Sequence, residues 1–480
     1  MTAPLLSTKF FIPPPRPGII SRGKLIDQLR IGQSRKLILV SAPAGYGKTT
    51  LLAEWINRLG LPVGWISLDT QDNDLGRFIS SLIASLRNIE NKINESYEFE
   101  VKSQDSEYLL QLISRLINRI SFSSNTFYLV LDDYHQIENH EIHNAIAYFI
   151  ENIPPNMHLI IATRSDPLIP LAKLRAQGEL LEIRADNLLF TTEEIAQYLN
   201  SSMHLKLSLE DISILAQKTE GWIVGLQLAA ISLQNSSDPQ KLIRNFAGDN
   251  RYIADYLVDE VLASQPGYIR EFLLSTSFLD RMSAPLCDAI TGRNDSHEIL
   301  SELEISNLFL VALDDKRLWY RYHHLFRDLL GNRWKQLPEE IQFDHYQRAS
   351  KWLEQNHLFS EAVRLSLTNH DSDRVAQLME GYLLTIVSTS ELAEMNSLLR
   401  SLPEKKISGD PWLALALAWG LAYGGNLEDA QRLLQTASDA IKDDGGIYQY
   451  RIEGRILVLK AYLTGTKADY PHSIKFAEEA

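Results

Sequence analysis

The sequence contains very little cysteine and no long apolar run. Cys287 is its single cysteine, which excludes an internal disulfide framework and a metal site built from several cysteines, and suits a reducing compartment. The longest apolar run, residues 412–423, is too short to span a bilayer and predicts a packed helix. The first twenty residues include prolines at 13, 14, 15 and 17 and lack a continuous apolar segment, so no signal peptide is expected. We therefore expect a cytoplasmic protein without a membrane partner.

The composition also lacks an excess of positive charge. The net charge is −14 at pH 7, so no general attraction to nucleic acid is expected. Apolar residues make up 45% of the 480 positions and charged residues 22%, which is ordinary for a globular protein. The length predicts about three or four domains.

A glycine-containing turn between a strand and a helix organises the chain. The apolar residues at 37–40 predict a buried strand, and the pattern after residue 50 predicts a helix. Gly45 and Gly47 let the backbone approach phosphate oxygens, Lys48 can bridge the β- and γ-phosphates, and the Thr49 hydroxyl can bind Mg²⁺. The segment therefore predicts a P-loop. Its predicted nucleotide contacts are Ala44, Gly45, Tyr46, Gly47, Lys48, Thr49 and Thr50.

One position departs from the usual P-loop pattern, G-x-x-x-x-G-K-[ST]. Ala42 stands where the first glycine belongs, and alanine does not readily adopt a positive φ. The alternative interpretation is a chance Gly-Lys-Thr turn. The strand and the helix on either side favour the P-loop.

A second buried strand, residues 128–131, ends in two adjacent carboxylates, Asp132 and Asp133. This is a Walker B pattern, in which one acid holds Mg²⁺ and the second can polarise an attacking water. Adjacent acids are often only a solvated turn. The four preceding apolar residues and the upstream P-loop favour the functional interpretation.

Two arginines are further candidates. The apolar run from Met157 ends in Thr163-Arg164, and Arg164 suits a sensor of the γ-phosphate because a guanidinium pairs well with phosphate. Arg22 precedes the P-loop by one helix and one strand and is expected near the nucleotide base, although a surface arginine is equally compatible with the sequence. Strands that alternate with helices predict a parallel α/β sheet with its ligand at the carboxyl ends of the strands.

The rest of the chain is predicted to be mostly helical. Helical patterns begin at Thr191, and residues 308–323 predict a hairpin that is compatible with a winged helix. Two similar turn-and-helix segments begin near 360 and 428, a separation of twice the 34-residue TPR period. The predicted domains are a P-loop domain (1–190), a helical domain (191–248), a winged-helix-like domain (249–336) and a TPR-like helical region (337–480). The last residues resemble an unfinished helix, so we expect the sequence to be truncated.

Several motifs in a fixed order resemble the MalT-like ATP-dependent transcriptional regulators, which are LuxR-type proteins of the STAND class of signalling ATPases. The motifs lie at residues 42–50, 131–135, 162–164, 220–229 and 322–326. The Ala-Pro-Ala-Gly-Tyr-Gly-Lys-Thr form of the P-loop is itself typical of this family. The helix-turn-helix that normally closes such chains is not recognisable here, and Gly221-Trp222-Ile223 lacks the proline of a motif that often contacts adenine.

The resemblance implies a role for each candidate residue. Arg22 would lie by adenine, Asp132 would hold Mg²⁺ together with Thr49, and Asp133 would support hydrolysis. Arg164 would sense the γ-phosphate, and His323 of the winged helix would contact ADP and lock the resting form.

The resemblance also implies a switch that binds ATP or ADP with Mg²⁺ and hydrolyses ATP slowly to regulate transcription. A small-molecule or protein inducer would bind the helical array, the ATP form would be a homo-oligomer, and DNA would be bound only through a C-terminal domain not present in this sequence. The alternatives are a turnover ATPase and an interaction scaffold without DNA binding.

Overall fold

The structure is a computed structural model. It describes residues 5–14, 18–89, 106–122, 125–234, 236, 238–248, 250–371, 374–375, 377–379, 397–400, 402–441 and 447–480. The chain divides into two compact units. One comprises Met1–Arg281 and His297–Arg333, and the other comprises Met282–Ser296 and Trp334–Ala480.

The first unit contains a five-stranded parallel sheet, which confirms the predicted α/β class. Its strands are β1 (Leu37–Ser41), β2 (Val63–Ser67), β3 (Phe127–Asp132), β4 (Met157–Thr163) and β5 (Leu180–Arg184). Their order is β2-β3-β4-β1-β5, and every neighbouring pair is parallel. Because β4 lies between β1 and β3, the residues that follow these three strands meet at one edge of the sheet.

Helices cover this sheet, and every residue of β1, β3 and β4 is buried. Such continuous apolar strands are characteristic of parallel sheets with both faces covered. The helices around the sheet are α1 (Gly23–Ile31), α2 (Lys48–Leu59), α3 (Leu75–Ile89), α4 (Ser106–Ser121), α5 (His140–Asn152), α6 (Leu171–Ala176) and α7 (Ala185–Leu188). α3, α4 and α5 form one apolar core with β1, β3 and β4. The sheet therefore provides a rigid base for the loops at its carboxyl edge.

The segment after the sheet is helical, as predicted. Thr191 caps the next helix by accepting a hydrogen bond from the backbone N–H of Glu194, whose side chain bonds back to the N–H of Thr191. The helices here are α8 (Thr192–Ala196), α9 (Leu209–Thr219), α10 (Ile223–Gln234), α11 (Pro239–Asn245), α12 (Arg251–Leu257) and α13 (Gly267–Thr276). Residues Gln197–Ser202 and Val258–Leu262 form π-helical turns, for which the sequence holds no signal.

The predicted hairpin is present and is shorter than the apolar pattern suggests. After α14 (Ala284–Thr291) and α15 (Ser296–Ile305), strand β6 (Leu310–Ala312) pairs antiparallel with β7 (Tyr320–Tyr322), and α16 (His324–Trp334) follows. Helices followed by a small antiparallel hairpin are the element order of a winged helix, as predicted.

The second unit is all-helical within its described residues. α14 packs with α17 (Glu339–Gln355), and the later helices are α18 (Phe359–Thr368), α19 (Glu404–Gly409), α20 (Pro411–Tyr423), α21 (Leu427–Asp439), α22 (Ile447–Thr466) and α23 (Tyr470–Glu479). Neighbours pack in pairs, α17 with α18, α20 with α21 and α22 with α23. The poorly marked unit between the two predicted repeats lies mostly outside the described residues, so the TPR assignment stays a prediction.

The apolar run at 412–423 forms the packed helix α20, as predicted. Trp412, Leu413 and Leu415 in its first turns are buried. Within the described part of the chain, no helix combines the length and the apolar character needed to cross a membrane.

Candidate functional site

The loop between β1 and α2 has the conformation of a P-loop. Gly45 and Gly47 have φ values of +77° and +79°, which glycine adopts without steric cost. Ala42 is not among the residues with positive φ, so alanine in place of the usual first glycine introduces no strain. Its N–H donates to the carbonyl oxygen of Thr163 across 3.2 Å and ties the start of the loop to the end of β4.

Lys48 lies under this loop and is 7% exposed. Its Nζ donates to the carbonyl oxygens of Ala42 at 2.7 Å and Pro43 at 2.9 Å. Burial lowers the pKa of Lys48 to about 8, the charge of Arg164 acts in the same direction, and Asp133 and Asp132 oppose the shift. Lys48 is therefore mostly charged at neutral pH and can donate charge-assisted hydrogen bonds to a phosphate.

Thr49 and Asp132 form a hydroxyl–carboxylate pair at the base of the site. Thr49 Oγ1 lies 3.1 Å and 3.0 Å from the two carboxylate oxygens of Asp132. Burial, together with the neighbouring charge of Asp133, raises the pKa of Asp132 to about 6 against the opposing hydrogen bond from Thr49. These oxygen donors fit Mg²⁺. No group of three or more His, Cys, Asp or Glu side chains within the described residues could hold a metal ion, so water and phosphate oxygens would have to complete its coordination.

Asp133 and Arg164 face the same space from the ends of β3 and β4. Asp133 has a φ of 57°, a conformation that is uncommon for a residue with a side chain and that lets adjacent carboxylates point differently. Asp133 lines the cavity, whereas Asp132 is buried behind Thr49. Arg164 also lines the cavity, and its Nη2 donates to Glu260 Oε2 at 3.2 Å.

The cavity above the P-loop has a volume of about 610 Å³, which is within the usual range for small-molecule sites. The P-loop contributes polar lining. Apolar lining comes from other segments, namely Ile19, Ile20, Leu188, Phe190, Tyr198, Met203, Ile223 and Leu228. A lining that combines P-loop backbone with apolar side chains matches the amphipathic character of a nucleotide.

Arg22 contacts this apolar lining. It donates to the carbonyl oxygens of Leu188 and Leu189, both at 2.8 Å, and to Glu194 Oε1 at 2.9 Å. Its guanidinium also lies 4.4 Å from the centre of the Phe190 ring, a favourable cation–π geometry. Arg22 is therefore a structural tie between the N-terminal segment and the start of the helical region, and it lines the cavity at the same time.

The helical region also contacts the P-loop, which the sequence reasoning missed. Trp222 Nε1 donates to the carbonyl oxygen of Ala44 at 3.2 Å. A Cβ on Gly45 would lie 2.8 Å from Val224 and 2.9 Å from the Tyr256 hydroxyl. The sequence signal for this contact was the Gly221-Trp222-Ile223 segment, which lacks the proline of the adenine-contacting motif. Ile223, at the position of that proline, nevertheless lines the cavity.

His323 is the predicted site residue that the structure leaves away from the cavity. Its ring is 2% exposed and packs edge-on against Trp222 and Phe309, with centroid distances of 6.1 Å and 5.6 Å. Because Nε2 lies 3.0 Å from the carbonyl oxygen of Thr219, Nε2 carries the proton, and the buried Nδ1 has no partner. Burial lowers the pKa of His323, so the ring is neutral. Its contact with ADP stays a prediction.

Among the other predicted site residues, Asp132 contacts the site through Thr49, and the rest line the cavity. Glu220, not singled out by the sequence, joins the helical region to the hairpin. Its carboxylate accepts hydrogen bonds from Arg321 at 3.0 Å and 2.7 Å and from the backbone N–H of His324 at 2.8 Å. Burial opposes ionisation of Glu220, but the hydrogen bond from Arg321 and the nearby charges outweigh it and lower the pKa to about 2.

Residues 258–342 match the family model of the MalT winged helix domain. The chain is 34% identical to the HTH-type transcriptional regulator MalT of Klebsiella pneumoniae over 87% of its own length and 46% of that protein. It is 32% identical to MalT of Serratia proteamaculans over 99% of its length and 53% of that protein. It is 31% identical to the serine/threonine-protein kinase PknK of Mycobacterium tuberculosis over 87% of its length and 38% of the kinase. The chain thus spans about half the length, or less, of these relatives.

Solved structures of P-loop proteins resemble the chain more distantly. The Walker-type ATPase of Pyrococcus abyssi is 14% identical, with a TM-score of 0.46 over 65% of this chain and 96% of that one. A STAND protein with a tetratricopeptide repeat sensor from Pyrococcus horikoshii is also 14% identical, with a TM-score of 0.37 over 99% of this chain and 66% of that one. The likeness to MalT therefore depends on the winged-helix match and on the MalT relatives. These comparisons show that residues 258–342 form a MalT winged helix domain and that the chain is similar to MalT over most of its own length.

Proposed function

We propose that the chain is an ATP/ADP-dependent switch of the STAND class that regulates transcription from the cytoplasm. The observation that carries this proposal is the cavity in which Lys48, the Thr49–Asp132 pair, Asp133 and Arg164 meet at the carboxyl edge of the sheet. A phosphate chain would lie along the P-loop, and the apolar lining residues would contact the base.

Each residue has a distinct task in this proposal. The backbone N–H groups of the loop and Lys48 would bind the phosphates. Thr49 and Asp132 would hold Mg²⁺, which supplies charge neutralisation at the phosphates when bound. Asp133 faces the cavity and would accept a hydrogen bond from a water placed for attack, and Arg164 would contact the γ-phosphate.

The contacts between the P-loop and the later helices favour a switch over a plain ATPase. Trp222 bonds to the loop itself, and Asn307, between α15 and β6, donates to Ser41 Oγ at 3.1 Å and to the carbonyl oxygen of Arg164 at 2.9 Å. A change in the phosphate site is thereby linked to the helical and winged-helix regions. In the full regulator, an inducer on the helical array would favour the ATP form, which would assemble into a homo-oligomer and bind DNA through a further domain.

Calorimetric titration of ATP and ADP into wild type, Lys48→Ala and the control Lys173→Ala tests nucleotide binding. Lys173 is exposed and pairs with Glu151 away from the cavity. We expect Lys48→Ala to lose affinity for both nucleotides while remaining folded and Lys173→Ala to bind like wild type. Unchanged affinity in folded Lys48→Ala would refute the assignment, and an ATP turnover of several per second would favour a turnover ATPase.

A further inference from the structure

The Arg164 side chain contacts a segment that lies 96 positions further along the chain. Its Nη2 donates to Glu260 Oε2 at 3.2 Å and its Nη1 to the carbonyl oxygen of Glu260 at 3.4 Å. Glu260 lies in the π-helical turn Val258–Leu262 that continues α12. Such turns are rare and occur frequently at functional sites. The local irregularity thus coincides with the point where this segment binds the candidate phosphate sensor.

The surrounding contacts hold both partners near the P-loop. Tyr256, one turn before Glu260, lines the cavity and packs against Trp222 with a centroid distance of 5.7 Å. The backbone of Arg164 is fixed by Asn307, which donates to its carbonyl oxygen at 2.9 Å. The guanidinium, by contrast, is 35% exposed and its partner carboxylate 48% exposed. An ion pair this exposed is weak, so the side chain can exchange partners while the backbone stays in place.

We propose that Glu260 competes with the γ-phosphate of ATP for Arg164 and so sets the preference of the site for ATP or ADP. This inference depends on the proposed nucleotide binding. ATP brings γ-phosphate oxygens, which pair with a guanidinium through charge-assisted hydrogen bonds. ADP has no such group and leaves the Arg164–Glu260 pair intact. Every ATP-binding event must therefore break a contact that ADP binding does not.

The test compares Glu260→Gln with the control Asp259→Asn, a neighbouring exposed acid in the same turn. Both substitutions remove one negative charge, but only the first removes the charged partner of Arg164. Titration of a non-hydrolysable ATP analogue and of ADP, each with Mg²⁺, gives the two dissociation constants. We expect Glu260→Gln to tighten binding of the ATP analogue about two- to fivefold, as an exposed pair allows, with ADP unchanged. The control should alter neither.

An Arg164→Ala background separates this mechanism from a general charge effect. There the Glu260→Gln substitution should no longer change affinity for the ATP analogue. Equal changes for both nucleotides, no change, or a full effect without Arg164 would each overturn the inference. If the wild type binds neither nucleotide, the proposed function itself fails, whereas nucleotide binding with an unaltered ATP-to-ADP ratio in Glu260→Gln refutes only the role of Glu260.

Discussion

The indole N–H of Trp222 donates to the carbonyl oxygen of Ala44 inside the P-loop, and both residues are buried. The two positions are 178 residues apart. The bond joins the helical region directly to the P-loop. The same indole ring packs against Tyr256 and Phe309, so one side chain joins the P-loop, α12 and the segment before the hairpin.

Trp222→Phe should weaken nucleotide binding while keeping most of the packing. The substitution leaves the carbonyl oxygen of Ala44 without its donor, and an unsatisfied buried group costs about 1–3 kcal/mol. We expect a lower melting temperature and an ADP affinity weaker by about tenfold, measured by thermal unfolding and calorimetry. Trp419→Phe, in the helical array, is the matched control. A normal ADP affinity in Trp222→Phe would show that the bond does not shape the loop.

Asp132→Asn should stabilise the protein in the absence of nucleotide at pH 7.5. Folding raises the pKa of Asp132 from 3.8 to about 6. Below pH 4 the carboxyl is protonated in the folded protein and does not reduce its stability. As the pH rises through 6 the buried carboxyl ionises, and the free energy of unfolding falls. Removing the charge should restore up to about 3 kcal/mol at pH 7.5 and almost nothing at pH 4. Urea unfolding at the two pH values checks this, and an equal effect at both would contradict the assignment.

The two adjacent acids should differ in their effects on ATP. Asp133→Asn should keep Mg²⁺–ATP binding and slow hydrolysis, because Asp133 faces the cavity. Asp132→Asn should impair Mg²⁺-dependent binding, because the amide keeps an acceptor for Thr49 but loses the negative charge that attracts the metal ion. Calorimetry and phosphate release measure the two properties. Equal defects in Mg²⁺-dependent binding would disprove this division of roles.

Glu220→Gln should destabilise the protein by about 3 kcal/mol at pH 7. The pKa of Glu220 is lowered from 4.5 to about 2. The ionised carboxylate therefore stabilises the folded protein fully above pH 4.5, and this stabilisation is lost as the pH falls through 2. The difference between wild type and variant should shrink to about half at pH 3. Glu210→Gln, at an exposed position of α9, should have little effect at either pH. A pH-independent difference would indicate lost packing rather than a lost charge.

The local motifs of the site were predictable because each lies in a short stretch of sequence. The P-loop, Asp132, Asp133 and Arg164 follow apolar strands, and parallel strands bring their carboxyl ends to one edge. The sheet order that places β4 between β1 and β3 joins them into one site.

The contacts that close this site were not predictable. The bonds from Trp222 to Ala44 and from Arg164 to Glu260 join residues 178 and 96 positions apart, and no local pattern encodes such pairing. The hydrogen bonds of Arg22 to residues 188 and 189 are equally distant. The sequence therefore identified Arg22 as a candidate for contact with the nucleotide base, but it did not reveal that Arg22 fixes the wall of the cavity through these bonds.

A histidine substitution tests whether the winged helix is coupled to nucleotide binding. In this structure its Nε2–H bonds to the carbonyl oxygen of Thr219, and its Nδ1 has no partner. If the ring contacts ADP in the resting form, His323→Ala should weaken ADP more than ATP and raise the fraction of oligomer at a given ATP concentration. Calorimetry and light scattering with each nucleotide measure both effects. His323→Gln retains a donor for Thr219 and should recover stability without restoring the preference for ADP. If His323→Ala instead weakens both nucleotides equally and His323→Gln restores wild-type behaviour, the histidine only positions α9 against the hairpin. The bonds of Trp222 to Ala44 and of Asn307 to Ser41 would then be the better candidates for the connection to the nucleotide.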